Sequence, residues 1–158
     1  MKTVKKKFKE IAGFSLAEAL VTLGLVVVIV TGVLQLFIYC AVLSELSGKM
    51  TGVVSEAQAK LEEIHDHSYT LITTDYVAGG TPGNTFDLTQ ATGKGVILID
   101  SSNADLLRIE VVVSWQNRNN RVVGEDKNFN GSLDAGEDAN GNLRMDSPVS
   151  LVTSIARR

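Results

Sequence analysis

At 158 residues the chain has room for one folded domain and an anchor, but not for two ordinary domains. Its 15 basic and 18 acidic side chains give a net charge of −3, unevenly spread. Residues 1–13 hold five Lys and one Glu, which leaves 10 basic against 17 acidic residues, net −7, in the remainder. An acidic body of that kind argues against nucleic-acid binding. The single cysteine, Cys40, excludes an intrachain disulfide and lies where packing is its expected role.

The Lys-rich leader runs up to Gly13-Phe14-Ser15-Leu16-Ala17-Glu18. An apolar run without a charge follows over residues 19–43. At about 1.5 Å per residue, a helix of that length crosses a bilayer core with some tilt. The Lys cluster before it, with only Lys49 soon after, predicts a cytoplasmic N-terminus and a single pass through the membrane. Glu18 sits at the mouth of the run. A carboxylate there either favours the positive end of the helix dipole or has a partner inside the membrane.

Lys-rich leader, Gly13, Phe14, Glu18 as the fifth residue after the glycine, and an unbroken apolar helix together resemble the prepilin signal of type IV pilins and type II secretion pseudopilins. The resemblance implies cutting between Gly13 and Phe14 by a prepilin peptidase, and methylation of the new Phe14 amine. It also implies assembly with other pilin or pseudopilin subunits into a periplasmic or cell-surface filament. Glu18 would then pair with the Phe14 amine of a neighbouring subunit, since a lone charge in low dielectric is expensive. Ala17 stands where the family commonly has a larger aliphatic residue. Gln35 lies in the region where many major pilins carry a proline, which argues for a minor subunit.

Beyond the membrane run, Leu43, Leu46, Met50, Val53, Ala57, Leu61 and Ile64 recur at helical spacing and predict an amphipathic continuation over residues 44–67. Glu45/Lys49 and Glu56/Lys60 are i,i+4 pairs off that stripe, with Gly48 and Gly52 as weak points. The stretch 57–64 is similar to the helix end of minor pilins of the pilus-modification type and of one minor pseudopilin. His65-Asp66-His67 closes the helix, and i,i+2 histidines face apart, so no metal site is assigned to them.

Residues 68–84 read as a connection, extended over 69–76, with a Gly/Pro loop at 79–84. Short strands are predicted at 85–89 and 96–100, separated by a Gly93-Lys94-Gly95 turn. The clearest strand is 106–116, with Leu107, Ile109, Val111, Val113 and Trp115 on one face. A terminal strand at 149–155 pairs antiparallel with it, similar to the last hairpin of minor pilins. The expected fold is α+β: a long N-terminal helix packed on a small antiparallel sheet, pilin-like, with a head spanning 68–158.

Residues 119–147 are too long for an ordinary hairpin connection. Within them, Asp126, Asn128, Asn130, Ser132, Asp134 and Glu137 fall at positions 1, 3, 5, 7, 9 and 12 of a loop with Gly131 at position 6. That is the EF-hand calcium pattern, which gathers six to eight hard oxygens around a tight turn. Ser132 offers its carbonyl, and Glu137 closes the sphere. Asp138, Asn140, Asn142 and Asp146 nearly repeat it without the glycine, as donors for a second Ca2+ or as support for the first. An ion here is expected to be structural, neutralising Glu125, Asp126, Asp134, Glu137, Asp138 and Asp146. No HExxH, phosphate loop or nucleophile triad motif is present, so an enzyme is not expected. A minor pilin with a calcium-stabilised head is the leading reading. A minor pseudopilin and an uncleaved, membrane-anchored calcium-binding protein are the alternatives.

Overall fold

A computed structural model describes residue 13 and residues 15–157. The chain divides into two units, Met1–Leu43 and Ser44–Arg158. Helix α1, Leu16–His65, runs through the boundary.

In the first unit the helix is apolar on every side and exposed throughout, from Leu16 at 83% to Leu43 at 62%. It is one helix long and apolar enough to cross a membrane. Two hydroxyls in it are silenced by their own backbone: Thr22 Oγ1 donates to Glu18 O and Thr31 Oγ1 to Val27 O, both at 2.7 Å. Back-bonding of this kind removes a polar group that lipid would leave unsatisfied.

The second unit is the expected α+β arrangement. After α1 come a short helix α2 (Tyr69–Asp75) and strands β1 (Thr85–Asp87), β2 (Gly93–Asn103), β3 (Leu106–Gln116), β4 (Val122–Val123) and β5 (Ser150–Ala156). All pairings are antiparallel. The order is β1-β2-β3, and β4 and β5 share the remaining edge of β3. Strand β4 takes the Trp115–Gln116 end and β5 takes Leu106 to Val112.

Period-two alternation in β3 sets the core. Leu107, Ile109, Val111, Val113 and Trp115 turn inward and meet Val53, Ala57 and Ile64 of α1, with Ile72 and Tyr76 from the α2 region. These three helix positions are the deepest part of the predicted stripe; Leu46 and Leu61 are half-buried, and Leu43 and Met50 stay exposed. The ion pair Lys49–Glu45 forms at 3.3 Å. The expected Glu56/Lys60 pair does not. Lys60 turns to Glu63, and Glu56 instead accepts from Thr89 N (2.9 Å), Thr89 Oγ1 (2.9 Å) and Gln90 N (2.7 Å). Three donors from a turn outcompete one flexible exposed ammonium.

Two further expectations are corrected. Residues 69–75 form helix α2, not extended chain, because burial of Ile72 decides the conformation of a segment whose threonines favour strand. Gly93-Lys94-Gly95 is not a turn but the start of β2. Side chains there would meet Ser114 O at position 93 and the Phe86 ring at position 95, so the glycines serve close packing across the sheet.

Candidate metal centre

The chain leaves the β3 edge after Val123 and rejoins it at Val149, where Val113 N donates to Val149 O at 3.0 Å. Both ends of the excursion are therefore fixed to β3 at residues two apart, Trp115 and Val113. The excursion folds back over the outer sheet face, where Leu133 and Met145 pack on Val96, Val112 and Leu98. At its entrance Asp126 N donates to the buried Ser114 Oγ at 3.3 Å.

All six predicted loop residues lie in one hydrogen-bonded turn. Asp126 is fully buried and accepts from Asn130 N (3.0 Å) and Gly131 N (2.9 Å). Asn128 Oδ1 accepts from Asn130 N, and Asn130 Oδ1 from Ser132 N. The Nδ2 groups of Asn128 and Asn130 converge on Asp134 Oδ2 at 2.8 and 2.7 Å. Glu137, 6% exposed, closes the loop: Oε1 accepts from Lys127 N and Asn128 N, and Oε2 from Asp134 N at 3.1 Å.

The second run is built the same way. Asp138 accepts from Gly141 N, Asn142 N and Leu143 N. The main-chain donor of Leu143, foremost, holds the Asp138 carboxyl below the usual carboxylate range. Asn140 and Asn142 turn Nδ2 onto Asp146 Oδ2 at 2.7 and 2.6 Å. The backbone track is also shared: φ is +58° and +81° at Phe129 and Gly131, and +74° and +57° at Gly141 and Leu143. Lack of glycine at the sixth place has not changed the turn; Leu143 bears the left-handed conformation instead.

Glu125, read in the sequence only as one of the acidic cluster, has a place in the second loop that the motif alone did not show. It is 7% exposed, its Oε1 accepts from Ala139 N at 2.9 Å and its Oε2 from Asp146 N at 2.8 Å. It stands to the second loop as Glu137 stands to the first. The signal for it was a repeat at a spacing of 12: Gly124-Glu125-Asp126-x-Asn128-x-Asn130 returns as Gly136-Glu137-Asp138-x-Asn140-x-Asn142, and Leu133-Asp134 returns as Met145-Asp146. Each repeat's glutamate closes the other repeat's loop.

The donor chemistry fits a hard cation held by mixed carboxylate, amide and main-chain oxygens. Asp, Glu, His and Cys side chains alone make no group of three that could hold a metal among the described residues, and the asparagines and main-chain carbonyls are the further oxygens at hand. Each asparagine amide oxygen already accepts a main-chain N–H, from Asn130, Ser132, Asn142 and Arg144, and a cation would share it through the second lone pair.

The other predicted residues lie at the start of α1. Gly13 is exposed, while Phe14 and the leader, which carry the cleavage and methylation expectations, lie outside the described residues. Ser15 caps the helix: Glu18 N donates to Ser15 Oγ at 3.2 Å, and Glu18 is exposed in the first turn. Ser15-x-x-Glu18 thus has the spacing of a capping box, which offers Glu18 a local role. His67 pairs with Asp75 at 2.8 Å and lies edge-on to Tyr76, which accounts for it without a metal. No family model matches the chain, and neither a curated protein nor a solved structure matches it.

Proposed function

We propose that the chain is a minor subunit of a type IV pilus, cut by prepilin peptidase between Gly13 and Phe14 and assembled through α1, with a head stabilised by Ca2+. The observation that carries this reading is the apolar, fully exposed first half of α1 with one carboxylate, Glu18, at its mouth. Such a surface is stable only in lipid or against other apolar helices. A carboxylate at its edge is best satisfied by a positive terminus from another copy.

The paired loops support a structural role for calcium, with two ions. Asp126, Asn128, Asn130, Ser132, Asp134 and Glu137 would hold the first, and Asp138, Asn140, Asn142 and Asp146 with Glu125 the second. The ions would neutralise carboxylates that now rely on main-chain N–H groups and asparagine amides. The chain is not an enzyme in this reading, and its partners are other pilin subunits, the peptidase and, before assembly, the inner membrane.

Mass spectrometry of the protein from membranes tests the proposal: the chain should begin at N-methylated Phe14. Glu18→Ala should abolish incorporation into filaments while leaving cleavage intact. An intact Met1 would favour the membrane-anchored calcium-binding reading, which the Ser15–Glu18 capping arrangement also suits. A minor pseudopilin of type II secretion shares every feature above and differs in the filament that incorporates it.

A further inference from the structure

The outer edge of β5 is open. Val113 N donates to Val149 O and Arg157 N to Asp105 O at 2.9 Å, so the odd-numbered residues of β5 bond to β3. The N–H and C=O groups of Ser150, Val152, Ser154 and Ala156 therefore point away from the sheet, and among the described residues no strand pairs with them. Exposed edges are ordinarily blunted by charge, proline or a bulge. The strand Ser-Leu-Val-Thr-Ser-Ile-Ala has none of these.

Beside this edge lies a groove of about 700 Å³, bounded by Ser154 to Arg157 on one side and His65 to Thr70 on the other. Its lining includes one permanent cation, Arg157, and two histidines, but no carboxylate. His67 is engaged with Asp75, whereas Arg157 has no ion-pair partner among the described residues. With Arg157 as its one permanent charge, the groove favours a negative side chain over a positive one.

We infer that the β5 edge and its groove take an extended, acidic peptide segment of a partner protein, which adds to the sheet as a further strand. Main-chain pairing to Ser150, Val152, Ser154 and Ala156 supplies the affinity, and an acidic side chain facing Arg157 supplies the selectivity. The inference does not depend on calcium or on filament assembly.

The test uses the full chain in detergent micelles and a seven-residue peptide of alternating threonine and valine carrying two aspartates. Controls are the same peptide with lysines for the aspartates, and the aspartate peptide N-methylated at alternate residues. The aspartate peptide should protect the amides of Ser150, Val152, Ser154 and Ala156 from hydrogen exchange. Both controls should bind at least tenfold more weakly. Ser154→Pro removes one outward donor without touching the β3 ladder and should weaken binding about tenfold. Arg157→Glu should erase the preference for aspartate over lysine and, lying beyond the strand, keeps the question open to test if the proline variant fails to fold. Equal binding of the aspartate and lysine peptides, or absence of protection, overturns the inference. So does protection that appears without peptide and rises with protein concentration, since the occupant would then be a second copy.

Discussion

Glu125 and Glu137 are both more than nine-tenths buried, and each carboxylate is held by backbone N–H groups of the loop it closes. Charged acceptors with main-chain donors contribute about 1.5–3 kcal/mol per bond. Glu125→Gln should lower calcium stoichiometry in isothermal titration from two to one, with Glu137→Gln doing the same for the other ion; retention of two ions in Glu125→Gln would remove it from the second sphere. Another buried side chain gives an alkaline signature. Burial, reinforced by its hydrogen bond to Glu63 (3.0 Å), pushes the Tyr76 hydroxyl up to about 12 from an ordinary 10.0. A folded pKa above the unfolded one means the contribution is whole below about pH 10 and is lost as pH rises through about 12. Tyr76→Phe should therefore be less stable than the parent at pH 8 and show a shallower loss of stability between pH 10 and 12. Equal slopes in urea titrations across that range would exclude Tyr76 as the source.

At the scale of elements, Leu143 is 86% exposed and yet sits at φ +57°. Left-handed backbone costs a β-carbon-bearing residue about 1–2 kcal/mol, and there is little packing here to lose. Leu143→Gly should raise stability by roughly 1 kcal/mol, read as an increase in melting temperature; a decrease would mean that Leu143 holds the loop by contact. What the sequence disclosed varies by element for related reasons. Strand β3 was legible because its inner residues alternate without a break from Leu107 to Trp115. Helix α2 was not, since Tyr69-Thr70-Leu71-Ile72-Thr73-Thr74 has strand-like composition and only the burial of Ile72 decides its form. Strand β2 was read too short because two glycines that fit Phe86 and Ser114 look, in one dimension, like a turn. That residues 126–137 and 138–146 form two like turns was legible in their Asp/Asn spacing, but the crossing of their glutamates needed the 12-residue repeat to be seen whole.

At the scale of the molecule, the excursion after β4 is tied to the sheet by a small second core, Val96, Val112 and Met145 with Leu98 and Leu133, and by Arg144 pairing with Glu110 at 2.9 Å. Ser114 and Ser147 tie its two ends to β3, while inside it the loops close on carboxylates that the ions would neutralise, so much of its internal order should be linked to calcium. Chelation should lower the melting temperature of the full chain in detergent by several degrees, with excess Ca2+ restoring it; superimposable melts with and without chelator would separate the loops from any structural ion. The position of β4 and β5 on one edge of β3 has a consequence for how such a head can diversify. Departure at Val123 and return at Val149 are near neighbours on the same scaffold, so the span between them behaves as a cassette. It can be excised, lengthened or exchanged for a different insert, and a short splice across the gap would leave the remaining strand pairings in register.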